Sequence, residues 1–343
     1  MALPGQTPVR VGLIGAGRIG THHATALARH VPDAELVAIA DAFPEAAAAL
    51  GGALGVPACS IEDLLADTSV EAVVITASST AHSELVQRAA AAGKAVFCEK
   101  PMSMTLPEFD AAIGACATAG VPLQVGFNRR FSPDFAAAHA VITAGGIGVP
   151  QLLRSVTRDP GLANPAAVPA GTIFTQTLIH DFDTLLWLNP GARPVEVHAY
   201  ADALVAPAFK DAGLLDTAVV TIRFDNGAIA TAEASFSAAY GYDVRGEVFG
   251  SAGMVTIGGP AQQAMAHWNA AGVARSTSRS DTELMRDAYI GELTAFCAAV
   301  RGLAPVAVGG LEAKAAFEVA LAAIASVAQG RRVSIEQVRE ENR

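Results

Sequence analysis

A glycine-rich segment near the start of the chain has the residue types and spacing of a phosphate-binding loop. Residues 15–20 read Gly-Ala-Gly-Arg-Ile-Gly, directly after the apolar run Val9–Ile14 and at the start of a helical pattern. There Gly15 permits a tight turn, Gly17 lets the backbone approach a pyrophosphate, and Gly20 lets helix and strand pack closely. The helix N-terminus adds free N–H groups. We predict dinucleotide contacts from Gly15, Ala16, Gly17, Arg18 and Ile19.

An acidic residue, Asp41, ends the second predicted strand. It follows Gly20 by 21 residues, which suits a carboxylate that accepts hydrogen bonds from the adenosine ribose hydroxyls. The same carboxylate would repel a 2′-phosphate, and the next residues, Ala42 and Phe43, bring no cation to receive one. The sequence therefore predicts NAD as the cofactor and disfavours NADP. A solvated acid at a strand end is the structural alternative for Asp41.

Three polar residues follow the third clear predicted strand, at the edge where a doubly wound sheet binds its ligands. Ser78 and Thr80 are candidates for contact with the dinucleotide, and both are equally suited to cap the next helix. His82 falls in the first turn of that helix, where a structural role is the alternative to cofactor binding.

The next buried strand pattern ends in two charges and a proline, Glu99, Lys100 and Pro101. At the carboxyl edge these charges would lie near a nicotinamide ring, and Pro101 can fix the turn, for example through a cis peptide. A lysine can accept a proton from an alcohol when its site lowers its pKa, as partial burial and a cationic ring would do. From position alone, a solvated loop cation is an equal alternative for Lys100.

The elements that position these residues follow one pattern up to about residue 125. Short apolar runs alternate with helical patterns, which is typical of a parallel sheet with helices on both faces. The predicted strands are Val9–Ile14, Glu35–Ala40, Glu71–Ile75, Ala95–Cys98 and Val121–Gly126. The predicted helices are Arg18–His30, Pro44–Leu50 (stopped by Gly51-Gly52), Thr80–Ala92 and Leu106–Ala119.

Longer strand patterns replace this alternation after about residue 150. Asp225-Asn226-Gly227 is a strong hairpin turn, and alternating burial around it predicts an antiparallel sheet with one covered face. The predicted strands are Leu152–Thr157, Val195–Tyr200, Ala218–Phe224 and Ala228–Phe236, with helices at Glu283–Arg301 and Leu311–Ala328. The charged tail Ile335–Arg343 reads as a short surface segment.

The fold class predicted from both patterns is α/β. Residues 1–125 would form a Rossmann domain, a doubly wound parallel sheet that binds NAD. Residues 126–343 would form an α+β domain with a large, open, mainly antiparallel sheet for substrate binding and oligomerisation. The C-terminal helices could pack back on the first domain.

Composition excludes several classes of protein. Of 343 residues, 52% are apolar and 16% charged, which excludes a disordered chain. The net charge of −10 argues against nucleic acid as a partner. No uncharged apolar run is long enough to span a membrane, and the N-terminus lacks the features of a signal peptide. Four cysteines outside any CxxC pair predict free thiols in the cytoplasm.

The motifs taken together resemble the Gfo/Idh/MocA family of oxidoreductases. They are GAGRIG, Asp41, EKP at 99–101, GFNRRF at 126–131 and IHDFD at 179–183. The stretches at 240–243 and 247–250 resemble the inositol 2-dehydrogenase branch. The likeness covers nearly the whole chain.

The resemblance implies roles for particular residues. Lys100 would be the catalytic lysine, and His180 would face the substrate hydroxyl beside the nicotinamide. Cofactor contacts would also come from Glu99, Lys100 and Arg129, and polyol contacts from Asn128, Arg158, Asp183 and Tyr240. Gln176 is a further candidate for contact with the substrate. A homotetramer or homodimer would form through the exposed sheet face. No metal is predicted, because helix periodicity brings only His180 and Asp183 together, and two ligands are too few.

One residue departs from the family pattern. Four residues before the histidine the family has an aspartate, and this chain has Gln176. A glutamine can orient an imidazole but does not stabilise its protonated form. The proton role would then shift toward Lys100, with His180 as a hydrogen-bond donor.

The predicted function is therefore the oxidation of a secondary hydroxyl of an inositol-like cyclic polyol, with NAD as hydride acceptor. Because of Gln176, a dehydrogenase or reductase of a sugar, anhydrosugar or keto-sugar is the alternative within the family. A non-catalytic NAD-binding sensor is the alternative from another class, and the presence of both Lys100 and His180 argues against it.

Overall fold

A computed structural model describes residues 7–162, 164–261 and 265–343 of the chain. The chain forms two compact units. The first contains the chain up to Phe131, Asp287–Lys314 and Asn342–Arg343. The second contains Ser132–Arg286 and Ala315–Glu341.

The first unit is built on a six-stranded sheet in which every strand pair is parallel, in the order β3-β2-β1-β4-β5-β6. The strands are β1 (Val9–Ile14), β2 (Ala34–Ala40), β3 (Ala58–Cys59), β4 (Ala72–Ile75), β5 (Ala95–Glu99) and β6 (Leu123–Gly126). This order reverses between β1 and β4, where doubly wound sheets bind their ligands. The predicted Rossmann sheet is confirmed.

Helices connect the strands of this sheet. They are α1 (Arg18–Arg29), α2 (Pro44–Leu54), α3 (Ile61–Ala66), α4 (His82–Ala91) and α5 (Leu106–Ala119). One core runs between the sheet and its helices, and it includes Val11, Leu13, Leu27 and Phe97. Leu293 and Phe296, from a helix much later in the chain, belong to the same core.

The helix predicted to stop at Gly51-Gly52 in fact continues to Leu54. Gly51 is buried, and a Cβ there would lie 2.5 Å from the Val56 carbonyl oxygen, so glycine serves close packing at this point. The helix ends at Gly55, whose φ of +72° is the left-handed conformation that favours glycine. The short elements β3 and α3 lack a periodic pattern long enough to predict.

The second unit contains a seven-stranded mixed sheet in the order β12-β11-β7-β10-β9-β8-β15. Only β7 and β10 pair in parallel within it, so the prediction of a mainly antiparallel sheet is confirmed. The strands are β7 (Pro150–Arg158), β8 (Pro194–Asp202), β9 (Thr217–Phe224), β10 (Ile229–Ser235), β11 (Asp243–Gly250), β12 (Gly253–Gly258) and β15 (Val333–Ser334). A separate hairpin joins β13 (His267–Asn269) to β14 (Gly272–Ala274).

The remaining helices are α6 (Pro133–Thr143), α7 (Leu178–Trp187), α8 (Asp281–Leu284), α9 (Arg286–Val300), α10 (Gly310–Gln329) and α11 (Ile335–Glu341). Alternating burial along β9 covers one sheet face with Val220, Ile222 and Phe224, as predicted. None of the helices described is long and apolar enough to cross a membrane.

The charged tail lies at the surface, as predicted, with six of its nine residues exposed, but it forms a helix with one buried face. Ile335 and Val338, three residues apart, are buried on one face of α11. Arg339 on the same helix pairs with the carboxylate of Glu318 at 2.7 Å. The apolar spacing of the helix therefore anchors a charged surface segment to the second unit.

Candidate active site

The glycine-rich loop joins β1 to α1 at the carboxyl edge of the first sheet. Gly15 has φ +108°, and a Cβ there would lie 2.5 Å from the backbone of Thr76 and Ala77. A Cβ on Gly20 would lie 1.8 Å from the Gly15 carbonyl oxygen, whereas a Cβ on Gly17 would meet no protein atom within 4 Å. Two glycines are therefore required by packing, and Gly17 alone faces open space where a ligand can approach.

The N-terminus of α1 suits an anion. Its N-cap residue is Gly17, which has no side chain to cap the helix, and its first turn contains no acidic residue. Backbone N–H groups at such an end favour negative charge. The Thr76 hydroxyl donates to the Gly15 carbonyl at 2.7 Å and so fixes the loop to the end of β4.

Asp41 lies beside this loop. One oxygen of its carboxylate accepts the Ala16 N–H at 2.6 Å, and the other accepts the Phe43 N–H at 2.8 Å. The carboxylate thus shapes the loop and keeps further lone pairs for a ligand. The sequence predicts a ribose contact at Asp41 but gives no signal of this structural role.

A cavity of about 550 Å³ opens at this edge of the sheet. It is lined by Gly15, Ala16, Gly17, Asp41, Phe43 and Ser78, among others. Arg88 also lines it, a cation that the sequence analysis misses. Its guanidinium is 2.8 Å from the Glu62 carboxylate and 3.6 Å from that of Glu84. These two acids balance its charge, which disfavours a 2′-phosphate.

The three polar residues after β4 have different surroundings. Ser78 lines the cavity, and its hydroxyl is 3.3 Å from that of Thr80. Ser78 makes no side-chain cap bond, and the residue that precedes α4 is Ala81, so the capping alternative does not apply. His82 is buried, with one ring nitrogen 2.8 Å from the Pro101 carbonyl and the other 3.0 Å from that of Ala77. It joins the loops that follow β4 and β5.

Lys100 directly follows β5 at the same carboxyl edge and is half-buried. Its backbone N–H donates to the Glu99 carboxylate at 3.0 Å, and its peptide bond to Pro101 is cis. Asn128 and Arg129, which follow β6, are both buried. The loops after five neighbouring strands thus bring the predicted residues of the first unit to one edge of the sheet.

In the second unit a π-helical turn, Ile173–Thr177, leads into α7. Such turns are rare and frequently lie at functional sites. Gln176 lies in this turn and His180 in the first turn of α7, and both are half-buried. The four-residue spacing alone predicts that Gln176 and His180 are one α-helical turn apart. The structure instead has a wider π-helical turn at Gln176.

The start of α7 is anchored to the end of β7. The Ser155 and Thr157 hydroxyls of β7 donate to the two oxygens of Asp181. Asp181 is therefore a structural acceptor. Asp183, two residues further along the helix, is also buried.

The last residue of β7, Arg158, lies in a network of charged and polar groups. Its guanidinium is 3.5 Å from the Tyr240 hydroxyl and 3.4 Å from the Asp243 carboxylate. The Tyr240 hydroxyl donates to Asp243 at 2.8 Å, and Glu233 lies 3.4 Å from Arg158. The hydrogen bond that Arg158 donates to the Tyr240 oxygen, together with the nearby carboxylates, raises the pKa of Arg158, which stays charged. The structure thus joins two predicted substrate residues through Asp243, which the sequence analysis misses.

Two family descriptions match the chain. Residues 9–127 match the oxidoreductase family with an NAD-binding Rossmann fold, and residues 135–256 match the GFO/IDH/MocA C-terminal domain. The chain belongs to the Gfo/Idh/MocA family of oxidoreductases. The resemblance inferred from the motifs is confirmed.

Individual relatives cover almost the whole chain. An inositol 2-dehydrogenase of Rhizobium meliloti is 39% identical over 95% of this chain and 99% of its own length. A myo-inositol 2-dehydrogenase of Thermotoga maritima is 37% identical over 96% and 99%. A scyllo-inositol dehydrogenase of Lactobacillus casei, solved with bound NAD(H) and scyllo-inositol, superposes with a TM-score of 0.91 at 26% identity and covers 96% of this chain and all of that one.

Proposed function

We propose that the protein oxidises a secondary hydroxyl of an inositol-like cyclic polyol to a ketone, with NAD as its cofactor. The observation that carries the proposal is the 39% identity to an inositol 2-dehydrogenase over nearly the whole chain, together with a lysine at the ligand-binding edge of the Rossmann sheet. The first unit would bind the dinucleotide, and the second would supply the polyol contacts.

The residues of the first unit fit NAD. Its pyrophosphate would lie over Gly17 at the N-terminus of α1, where a Cβ would find open space. Asp41 would accept the ribose hydroxyls, and the exposed Phe43 ring, which lines the same cavity, would flank the adenine. Ser78, Thr80, His82 and Arg129 remain proposed contacts for the rest of the cofactor.

Alcohol oxidation needs a hydride acceptor and a proton acceptor. Bound NAD supplies the first. Lys100, half-buried at the strand end, would take the hydroxyl proton, and His180 would donate a hydrogen bond to the substrate oxygen. Such positioned acid–base groups typically contribute about 10²- to 10⁴-fold to the rate. Asn128, Gln176, Asp183, Arg158 and Tyr240 would hold the other hydroxyls.

Gln176 favours a second candidate substrate class. A neutral amide near His180 accepts and donates hydrogen bonds but cannot balance an imidazolium charge. A sugar or anhydrosugar is therefore the second candidate, with the same cofactor and the same role for Lys100. A panel of inositols, aldoses and anhydrosugars separates the two by the rate of NADH formation.

We also propose a homodimer or homotetramer formed through the second sheet. Met254, Phe249, Leu152 and Ile229 are cross-strand neighbours on four adjacent strands. Each is between 43% and 55% exposed in one chain. A continuous row of apolar side chains is typical of an interface between proteins. Light scattering at micromolar concentration tests this, and a monomer would contradict it.

All four cysteines are free thiols, which agrees with the cytoplasm as the proposed location.

A further inference from the structure

Three ionisable side chains meet inside the first unit. His23 of α1 and Glu292 of α9 are fully buried, and Glu99 at the end of β5 is nearly so. The His23 Nε2 atom is 2.7 Å from one Glu99 oxygen and 3.9 Å from one Glu292 oxygen. Among the residues that the structure describes, neither carboxylate oxygen of Glu292 has a hydrogen-bond partner. We call these three residues the buried acid cluster.

The spacing in the buried acid cluster favours a shared proton over a metal ion. Two ligands of a tetrahedral zinc ion, each bonded at 2.0–2.1 Å, lie about 3.4 Å apart. The 2.7 Å between His23 and Glu99 is the length of a charge-assisted hydrogen bond instead. A second full negative charge on Glu292, without a hydrogen bond, would be costly in this buried site.

The pKa values of the two carboxyl groups shift in opposite directions. Burial and the neighbouring Glu99 carboxylate raise the pKa of Glu292 well above its ordinary value. Burial also acts to raise the pKa of Glu99, but the hydrogen bond and charge of His23 and the charge and backbone N–H of Lys100 lower it below its ordinary value. These directions, with the 2.7 Å contact of Glu99 to His23 and the lack of any hydrogen bond to Glu292 among the described residues, favour an ionised Glu99 and a protonated Glu292.

The elements packed around the cluster present few other titratable groups. From α1 the neighbour is His22, and from α9 it is Tyr289, whose ring is 5.5 Å from that of His23. Lys100 follows Glu99, and the buried Cys98 precedes it on β5; burial and the Glu99 carboxylate raise the pKa of the Cys98 thiol. On β6, a Cβ at Gly126 would lie 3.1 Å from the Glu99 carboxyl carbon.

The cluster is tied directly to the proposed catalytic residue. The same Glu99 carboxylate that contacts His23 also accepts the Lys100 backbone N–H at 3.0 Å. His23 lies on the helix that begins at the glycine-rich loop, and its ring packs edge-on against Phe97 at 5.4 Å. The cluster thus links three elements: the helix that follows the glycine-rich loop, the strand that precedes Lys100, and a helix from the distant C-terminal part of the chain.

We propose that the buried acid cluster positions Lys100 and sets its charge, with Glu292 held as a neutral carboxylic acid beside the Glu99–His23 pair. His23, Glu99 and Glu292 are then positioning residues. The effect on turnover rests on the proposed function, whereas the protonation state of Glu292 does not.

The first test needs no substrate and uses Glu292→Gln, which has the shape of the neutral acid but cannot ionise. Because Glu292 keeps its proton in the folded state and loses it on unfolding above pH 4.5, the folded state of the wild type loses stability as pH rises toward the raised pKa. Relative to Glu292→Gln, its folding equilibrium constant falls about tenfold per pH unit in that window. Urea unfolding at pH 6, 7 and 8 measures this ratio.

The matched control is Glu340→Gln, the same change on an exposed helix residue. The ratio of its folding equilibrium constant to that of the wild type should stay constant with pH. A constant ratio for Glu292→Gln as well would overturn the proposal. Infrared spectroscopy gives a second readout should that variant not fold. The wild type at pH 7 should show the carbonyl band of a protonated carboxylic acid, and its absence would overturn the proposal equally.

The second test asks whether the cluster acts on Lys100. Glu99→Gln keeps an acceptor for the Lys100 N–H but removes a negative charge that attracts the ammonium group. The pKa of Lys100 should fall, and the alkaline rise of kcat with pH should shift toward lower pH. The chain has four lysines, so NMR of ¹³C-methylated lysine can follow Lys100 without substrate, assigned by Lys100→Met. An unshifted Lys100 titration would refute the positioning role even if the substrate were not an inositol.

Discussion

Replacing either of two glycines in the glycine-rich loop by alanine should have a different effect. Gly17→Ala should weaken NAD binding, whereas Gly20→Ala should destabilise the fold. Gly17 has φ −72° and ψ −167°, an ordinary extended conformation, and its Cβ would meet no protein atom within 4 Å. Gly17→Ala should therefore fold normally. The weaker N-cap preference of alanine and the smaller entropy of its unfolded chain oppose each other, so the free energy of unfolding should change by less than about 1 kcal/mol.

The methyl group on residue 17 would instead meet the pyrophosphate of NAD. We expect the Kd for NAD to rise about 100-fold, which is about 2.8 kcal/mol of binding free energy. At an NAD concentration of 100 times the wild-type Kd, the wild type should gain about 2.7 kcal/mol of stability from the ligand. The variant should gain about 0.4 kcal/mol under the same conditions.

Gly20→Ala is the matched comparison. Its Cβ would lie 1.8 Å from the Gly15 carbonyl oxygen, so the loop or the helix must move. We expect a loss of about 3 kcal/mol or more in the free energy of unfolding. Thermal unfolding with and without NAD, supported by titration calorimetry, measures both effects. Wild-type affinity for NAD in Gly17→Ala would refute the placement of the pyrophosphate, and equal instability of the two variants would refute the loop geometry.

Three further predictions concern the chemistry. Lys100→Met should lower kcat at least 100-fold with the Kd for NAD nearly unchanged, because it removes the proton acceptor and leaves the cavity intact; steady-state kinetics at full activity would remove Lys100 from the mechanism. Asp41→Ser with Ala42→Arg should shift the ratio of kcat/KM values toward NADP by tenfold or more, and an unshifted ratio would mean that the ribose contact lies elsewhere. Gln176→Asp should raise kcat/KM for inositols severalfold relative to aldoses, because a carboxylate can stabilise a protonated His180; unchanged preference on the substrate panel would contradict this.

The glycine-rich loop and Asp41 are predictable from sequence because each requires a particular residue type at a fixed spacing from its neighbours. Gly15 and Gly20 have no space for a Cβ, and the acidic residue ends the next strand. The alternation of strands and helices is also a local signal, and it predicts that the strands of the first sheet run parallel. The hairpin at Asp225-Asn226-Gly227 is local as well, and it appears between β9 and β10 as expected.

Other features depend on residues far apart in the chain. No sequence motif predicts the surroundings of His23, which is fully buried against Glu99, with Glu292 3.9 Å away on a helix from a distant part of the chain. Asp243 joins Arg158 to Tyr240 only because β7 and β11 are paired. Such pairings leave no periodic trace in the sequence. The one local hint at His23 is its place three residues after Gly20, on the face of α1 that packs against the sheet.

The most direct test of the account is NADH formation by the purified protein with NAD at mildly alkaline pH. The panel contains myo-, scyllo- and D-chiro-inositol beside glucose, xylose, galactose and levoglucosan. We expect turnover on at least one inositol, abolished by Lys100→Met and supported by NAD in preference to NADP. Turnover confined to an aldose or anhydrosugar would contradict the proposed substrate class, and tight NAD binding without turnover in either direction would contradict the assignment of catalysis itself.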